Sequence, residues 1–240
     1  YEMLRSLVGS EMCIRDSKWT GNGSNSDQEV GTGLSEELKF VISKPLDSGG
    51  GTGQWLIYVN GVTDAQGECL LFTTGSKTTN ATAGTPNKGT TAGRLLLKAG
   101  SSSNANLNTN ALNYIAYCFA EKKGYSKFGT YEGVDDGDGP YVYLGFRPAF
   151  LFIRKRQGED TVLYDTKTQT RNEIGQGGRI YLDLNNSQSS TTKDMDFHSS
   201  GFKLRKNTGI VNDGAGTFMY MAIAEKPDLT PYNAVPTAKS

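Results

Sequence analysis

Short apolar runs separated by polar, glycine-rich stretches set the pattern of this chain. They fall at residues 39–42, 54–59, 68–73, 94–98 and 113–121, and again at 141–144, 150–154, 161–164, 179–184, 202–205 and 218–225. Each is of strand length, and most carry the aromatic and β-branched residues that fit a pleated, half-buried surface. No long stretch repeats its apolar positions every 3.6 residues. Residues 109–120 come nearest, and their β-branched and aromatic content argues against a helix. The intervals are filled by Gly, Ser, Thr and Asn, which turn the chain cheaply. The pattern predicts an all-β protein.

The runs repeat. NYIAYCFAE at 113–121 aligns without a gap with TFMYMAIAE at 217–225, placing Tyr114 on Phe218, Phe119 on Ile223 and Ala120-Glu121 on Ala224-Glu225. Residues 33–44 lie over 144–155, so that Val41 meets Phe152. Residues 55–58 lie over 161–164, setting Tyr58 on Tyr164, and 93–98 lie over 201–206. The four blocks keep one order at a spacing of about one small domain. A unit of this size buries aromatic strands between two sheets but not on one. The expectation is therefore two tandem antiparallel β-sandwich modules of jelly-roll or concanavalin A-like, lectin-like type, at residues 18–127 and 128–226. A proline-containing tail or linker follows at 227–240.

The start of the chain reads differently. LVGSEMCIRDS at 7–17 resembles one reading frame of a transposon-type sequencing-library adapter, with residues 1–6 as the index region before it. There is no basic start and no continuous apolar core, as a signal peptide requires. Residues 1–17 are read as an artefact that packs poorly on either module. Without Arg5, Arg15, Glu2, Glu11 and Asp16, the 25 basic and 25 acidic residues leave a net charge of about +1. That balance offers no electrostatic case for nucleic acid or anionic lipid, and no apolar stretch is of membrane-spanning length. Cys69 and Cys118 each sit inside an apolar run and read as small core side chains, not as a disulfide framework.

The second module carries a family likeness. Gly139-Pro140-Tyr141-Val142-Tyr143-Leu144-Gly145-Phe146-Arg147-Pro148-Ala149-Phe150, then Tyr164-Asp165-Thr166 and Ser200-Gly201-Phe202-Lys203-Leu204, resemble tandem modules of marine bacteriophage virion proteins. NYIAYCFAEKKGYSKFGTYEG at 113–133 resembles the junction between such modules. The likeness covers most of 19–227. It implies a tail-fibre or other virion protein, assembled in the host cytoplasm, with other virion proteins and a homo-oligomer as partners. It supplies no catalytic motif.

A search of the residues for chemistry is equally spare. His198 is the only histidine, in DMDFHSS with no nucleophile elbow, and it reads as a polar residue ending a strand. The loop from Glu132 to Gly139 clusters Asp135, Asp136 and Asp138, but it lacks the twelve-residue calcium-loop spacing and reads as a solvated turn. Asp194 and Asp196 share a strand face, as do Asp183 and Tyr181. Neither pair forms a compact glycosidase constellation, and both read as a charged, solvent-facing edge. No cofactor, metal or catalytic residue is expected. Glycan binding asks less, namely exposed aromatics on a rigid sheet, for which Trp19, Trp55, Tyr125, Tyr131 and Tyr143 are candidates. The polar loops at 76–91 and 169–178 are candidate carriers of function. The expected role is a non-enzymatic structural or adhesive virion protein contacting a host surface glycan. The alternative is a polysaccharide depolymerase or glycosidase.

Overall fold

A computed structural model describes residues 14–24, 26–48, 55–63, 70–71, 85–98, 107–167, 178–188 and 194–225. Among them there is no helix, and every paired strand is antiparallel. The first eight strands are β1 (Ile14–Thr20), β2 (Gln28–Gly31), β3 (Leu38–Pro45), β4 (Leu56–Val59), β5 (Leu70–Leu71), β6 (Thr85–Lys88), β7 (Arg94–Lys98) and β8 (Asn113–Ala120). The next eight are β9 (Ser126–Glu132), β10 (Tyr141–Tyr143), β11 (Pro148–Lys155), β12 (Val162–Asp165), β13 (Ile180–Tyr181), β14 (Met195–His198), β15 (Gly201–Leu204) and β16 (Thr217–Ala224).

The two sets are connected identically. The first builds a five-stranded sheet in the order β1-β8-β3-β4-β5 and a three-stranded sheet β2-β7-β6. The second builds β9-β16-β11-β12-β13 and β10-β15-β14, which is the same order with eight added to every number. In each half the five-stranded sheet packs on its three-stranded partner. Leu95 and Leu97 of β7 meet Val41, Tyr58 and Tyr114 in the first core. Phe202 and Leu204 of β15 meet Leu151, Tyr164 and Phe218 in the second.

A third core joins the halves. Along β4, Leu56 and Tyr58 face the first core, whereas Ile57 and Val59 face the other way and pack with Phe152, Met219 and Met221 of the second half. Phe40 sits at the centre of this contact, 1 % exposed, with its ring 5.4 Å from that of Phe152 and 6.2 Å from that of Phe128. The five-stranded sheets therefore stack face to face, covering both faces of their central strands, with the three-stranded sheets outermost. Continuous burial along β4 follows, since a doubly covered strand has no polar face.

The register refines the repeat. Phe40 lies opposite Phe119 just after a bulge that begins at Leu38, and Phe150 lies opposite Ile223 just after a bulge that begins at Pro148. Val41 is thus the counterpart of Leu151, not of Phe152, so the expected alignment of 33–44 is corrected by one residue. Leu95 and Phe202 are counterparts by the same test, since they lie opposite Val30 and Val142, and the 93–98 block also moves by one. Tyr58 does match Tyr164, opposite Val41 and Leu151, and Tyr114 does match Phe218, opposite Pro45 and Lys155.

One local device occurs in both halves. Trp19 stacks on Tyr114 at 5.4 Å and its Nε1 donates to the Leu107 carbonyl at 2.9 Å. Tyr131 stacks on Phe218 at 5.2 Å and its hydroxyl donates to the Val211 carbonyl at 2.8 Å. Different side chains thus place an aromatic face on the core and a polar tip on the same backbone oxygen. Just beyond, a Cβ on Gly21 would lie 2.1 Å from the Thr109 oxygen, and one on Gly133 would lie 2.1 Å from the Asp213 oxygen. Only glycine lets these segments pass so closely.

Four strands escaped the sequence pattern, β1, β2, β6 and β9, while β14, absent from the apolar runs, was expected as a strand only through Asp194, Asp196 and His198. The stretch 76–91 is not all loop, since Thr85–Lys88 is β6, paired with β7. The earlier part of that stretch and most of 169–178 lie outside the described residues, as do Cys69 and residues 1–13. Residues 14–17 do not pack poorly throughout. They form the first part of the edge strand β1, opposite 116–119, with Ser17 buried and its Oγ donating to the Gly31 carbonyl at 3.3 Å. Edge pairing runs through backbone groups, which any sequence offers.

Candidate functional site

The outer face of the β10-β15-β14 sheet collects the polar and aromatic chemistry of the second half. Along β10 the side chains alternate, so Val142 enters the core while Tyr141 and Tyr143 point outward, 42 % and 63 % exposed. Across the sheet Tyr141 lies opposite Lys203, which lies opposite Asp196, and Tyr143 lies opposite Gly201, which lies opposite His198. Gly201 keeps the floor low, since a Cβ there would sit 2.1 Å from the Val142 oxygen and 3.0 Å from the Tyr141 hydroxyl. His198 ends β14 as expected and meets Tyr141 edge to face at 5.6 Å. Its Nε2 is buried and has no hydrogen-bond partner among the described residues.

Hydrogen bonds and cations hold this face. The Tyr141 hydroxyl and Ser200 Oγ are 2.8 Å apart. Lys127 donates to the Tyr143 carbonyl at 3.0 Å, and its Nζ lies 5.4 Å from the centre of the Tyr143 ring. Lys203 donates to the Gly139 carbonyl at 2.7 Å and pairs with Asp138 at 2.9 Å. In the first half the counterparts of Tyr141 and Tyr143 are Glu29 and Gly31. The tyrosine face belongs to one half only.

The acidic residues take other roles. Asp194, 1 % exposed, accepts from Arg179 through Nε at 2.8 Å and Nη2 at 2.6 Å, and from the Tyr164 hydroxyl at 2.7 Å. Burial disfavours the charge on Arg179, but the hydrogen bond to Asp194 together with the Asp194 charge and the neighbouring Tyr164 and Tyr181 more than offsets it, and its pKa is raised. Burial first, and Asp194 second, push the Tyr164 phenol up. Asp196 is 6 % exposed and accepts from Arg205 Nε at 2.6 Å. The solvent-facing edge expected for Asp194 and Asp196 is therefore overturned, because Arg179 follows Asp194 into the protein and the exposed Arg205 covers Asp196 from the rim. Asp183 likewise turns inward, its side chain fully enclosed 3.6 Å from Arg154, and it caps the Thr161 N–H at 2.8 Å.

In the acidic loop, Asp138 is held below its ordinary pKa by the hydrogen bond from Lys203, with Arg205 also near. Asp136 accepts from the Asp138 N–H at 2.8 Å, closing its own turn. Among the described residues no group of three or more His, Cys, Asp or Glu side chains converges as a metal site. Of the aromatics singled out from sequence, Trp19 and Tyr131 are packing residues, Trp55 and Tyr125 are half-buried, and Tyr143 is exposed. Tyr141 was missed. Its alternation with Val142 was the available signal.

A family model described as a domain of unknown function (DUF7483) matches residues 15–227. No curated protein and no solved structure matches the chain.

Proposed function

The chain belongs to the DUF7483 family, a domain of unknown function, and we propose that it is a non-enzymatic adhesive or structural protein built from two tandem jelly-roll or lectin-like sandwiches. One observation carries the adhesive reading: Tyr141 and Tyr143 stand exposed on a rigid sheet, on a face that the other half does not share. Two outward rings beside Ser200, Lys127 and Lys203 suit the mixed apolar and hydroxylated surface of a sugar. Such contacts are individually weak, and repetition on an oligomer raises their avidity without a deep pocket. The carboxylates that a glycosidase would need as free acid and nucleophile, Asp194 and Asp196, are occupied by Arg179 and Arg205. A place on a phage particle, with homo-oligomeric assembly and a host surface glycan as ligand, rests on the sequence resemblance.

The test is a pair of assays on the purified chain: binding to host cells, and sugar release from their polysaccharide. Binding without release, reduced by Tyr143→Ala and Tyr141→Ala, is the expected result. Release of sugar that disappears in Asp194→Asn or Asp196→Asn, with folding intact, establishes the depolymerase instead. Mass spectrometry of purified particles that fails to find the chain removes the virion.

A further inference from the structure

The duplication provides an internal control for a second surface. By register, Lys44 and Ile115 of the first half correspond to Arg154 and Met219 of the second, and Tyr117 corresponds to Met221. Trp55, which precedes β4, corresponds to Thr161, which precedes β12. In the second half these are packing positions. Arg154 and Thr161 are fully buried, and Met219 and Met221 lie against the first half's Ile57, Val59 and Leu70. In the first half the same patch is open: Tyr117 is 40 % exposed and Trp55, Lys44 and Ile115 are half-buried.

The residues that replaced the packing set are of a different chemical kind. The Trp55 and Tyr117 rings lie 6.3 Å apart at 35°, forming a shallow angled platform. Lys44 Nζ sits 5.2 Å from the centre of the Trp55 ring, so a cation is stationed at the platform itself. Lys18, opposite Ile115 in β1, is exposed on the neighbouring strand. Asp16, opposite Tyr117 at the outer edge, belongs to the stretch read as adapter and is left out of the site. The second half carries Asp165 at the position equivalent to Val59, which packs with Met219 and Met221 in the contact between halves.

We infer that Trp55, Tyr117 and Lys44 form a binding site for an anionic saccharide, separate from the tyrosine face. The aromatic pair takes the apolar C–H face of a pyranose ring, and Lys44 meets its carboxylate or sulfate.

The experiment titrates the full chain with alginate oligosaccharides, carrageenan oligosaccharides and neutral laminarin oligosaccharides, followed by tryptophan fluorescence and calorimetry. Trp19 is stacked in the core, so a spectral change reports Trp55. The expected result is a change with one or both anionic probes, weakened by added salt and absent in Trp55→Phe. Tyr117→Ala weakens calorimetric binding by about tenfold, the scale of one lost aromatic contact, and Lys44→Gln lowers the salt dependence. The Trp55 fluorescence change reads this site separately from the tyrosine face, whose rings stand on the outer β10-β15-β14 sheet of the second half. Equal binding of the neutral probe overturns the anionic class. No saccharide binding, or binding unaltered in Tyr117→Ala and Lys44→Gln proteins that melt like the parent, overturns the site.

Discussion

Replacing Asp194 with alanine strands a cation inside the second half. Arg179 is 6 % exposed and gives two of its hydrogen bonds, at 2.8 and 2.6 Å, to the Asp194 carboxylate. The Tyr164 hydroxyl, also buried, gives a third at 2.7 Å. Removing one member of a buried pair costs about 3–5 kcal/mol, because the other charge stays without its counter-ion. The orphaned phenol adds about 1–3 kcal/mol if it finds no other acceptor, but Arg179 and water relax, so the costs do not simply add. A value of about 4 kcal/mol is expected, which for a chain of this size lowers the melting temperature by roughly 8–16 °C. Differential scanning calorimetry and urea unfolding read it directly. The double replacement Arg179→Met with Asp194→Leu removes both charges and should recover most of the loss. A melting temperature for Asp194→Ala within about 2 °C of the parent, or a double variant no more stable than the single one, refutes a stabilising pair and reopens a functional role for Asp194.

Other expectations follow from the same geometry. Gly21→Ala and Gly133→Ala should each destabilise by roughly 1–3 kcal/mol, since the new methyl meets a backbone oxygen that cannot swing away; unchanged melting of both would contradict the close passage. Phe40→Ala should cost about 3–5 kcal/mol and loosen the contact between halves, so that calorimetry resolves two transitions where the parent shows one. Hydrogen bonds from Lys39 and then Lys88 hold the Glu37 carboxyl at about 2, below its ordinary 4.5. A depressed carboxylate stabilises above its unfolded pKa and loses that contribution as pH falls through the folded one, so Glu37→Gln should lower the melting temperature slightly near pH 6 and not near pH 2. A deficit of the same size at both ends excludes this charge as the cause.

Strand content and the repeat were readable because the five-stranded sheets are written in apolar residues. Their register was less so, for the same reason. PheValIle at 40–42 and PheLeuPhe at 150–152 are apolar on both faces, because one face meets the half's own core and the other meets the opposite half. No alternation marks which residue points where, and a one-residue slip costs nothing in an alignment although it exchanges the faces of a strand. The missed strands were missed from the opposite side. β6 reads Thr-Pro-Asn-Lys and β2 Gln-Glu-Val-Gly, polar stretches that become strands only because β7 offers them hydrogen-bonding partners. The tyrosine face was half visible, through Tyr143, while the pairing of Asp194 with Arg179 crosses a gap of fifteen residues that no spacing rule flags.

A sheet buried on both sides has no silent position. A substitution at Ile57 or Met221 disturbs the contact between halves, and one at the adjacent Tyr58 or Ala222 disturbs a private core, so drift in the inner strands is checked twice over. The outer sheets and the uncovered rim escape that double check. That is where the two copies have parted company: Tyr141 against Glu29, Tyr143 against Gly31, Tyr117 against Met221. The stacking that locks the halves together also leaves the periphery as the ground on which each copy can acquire a specialty of its own.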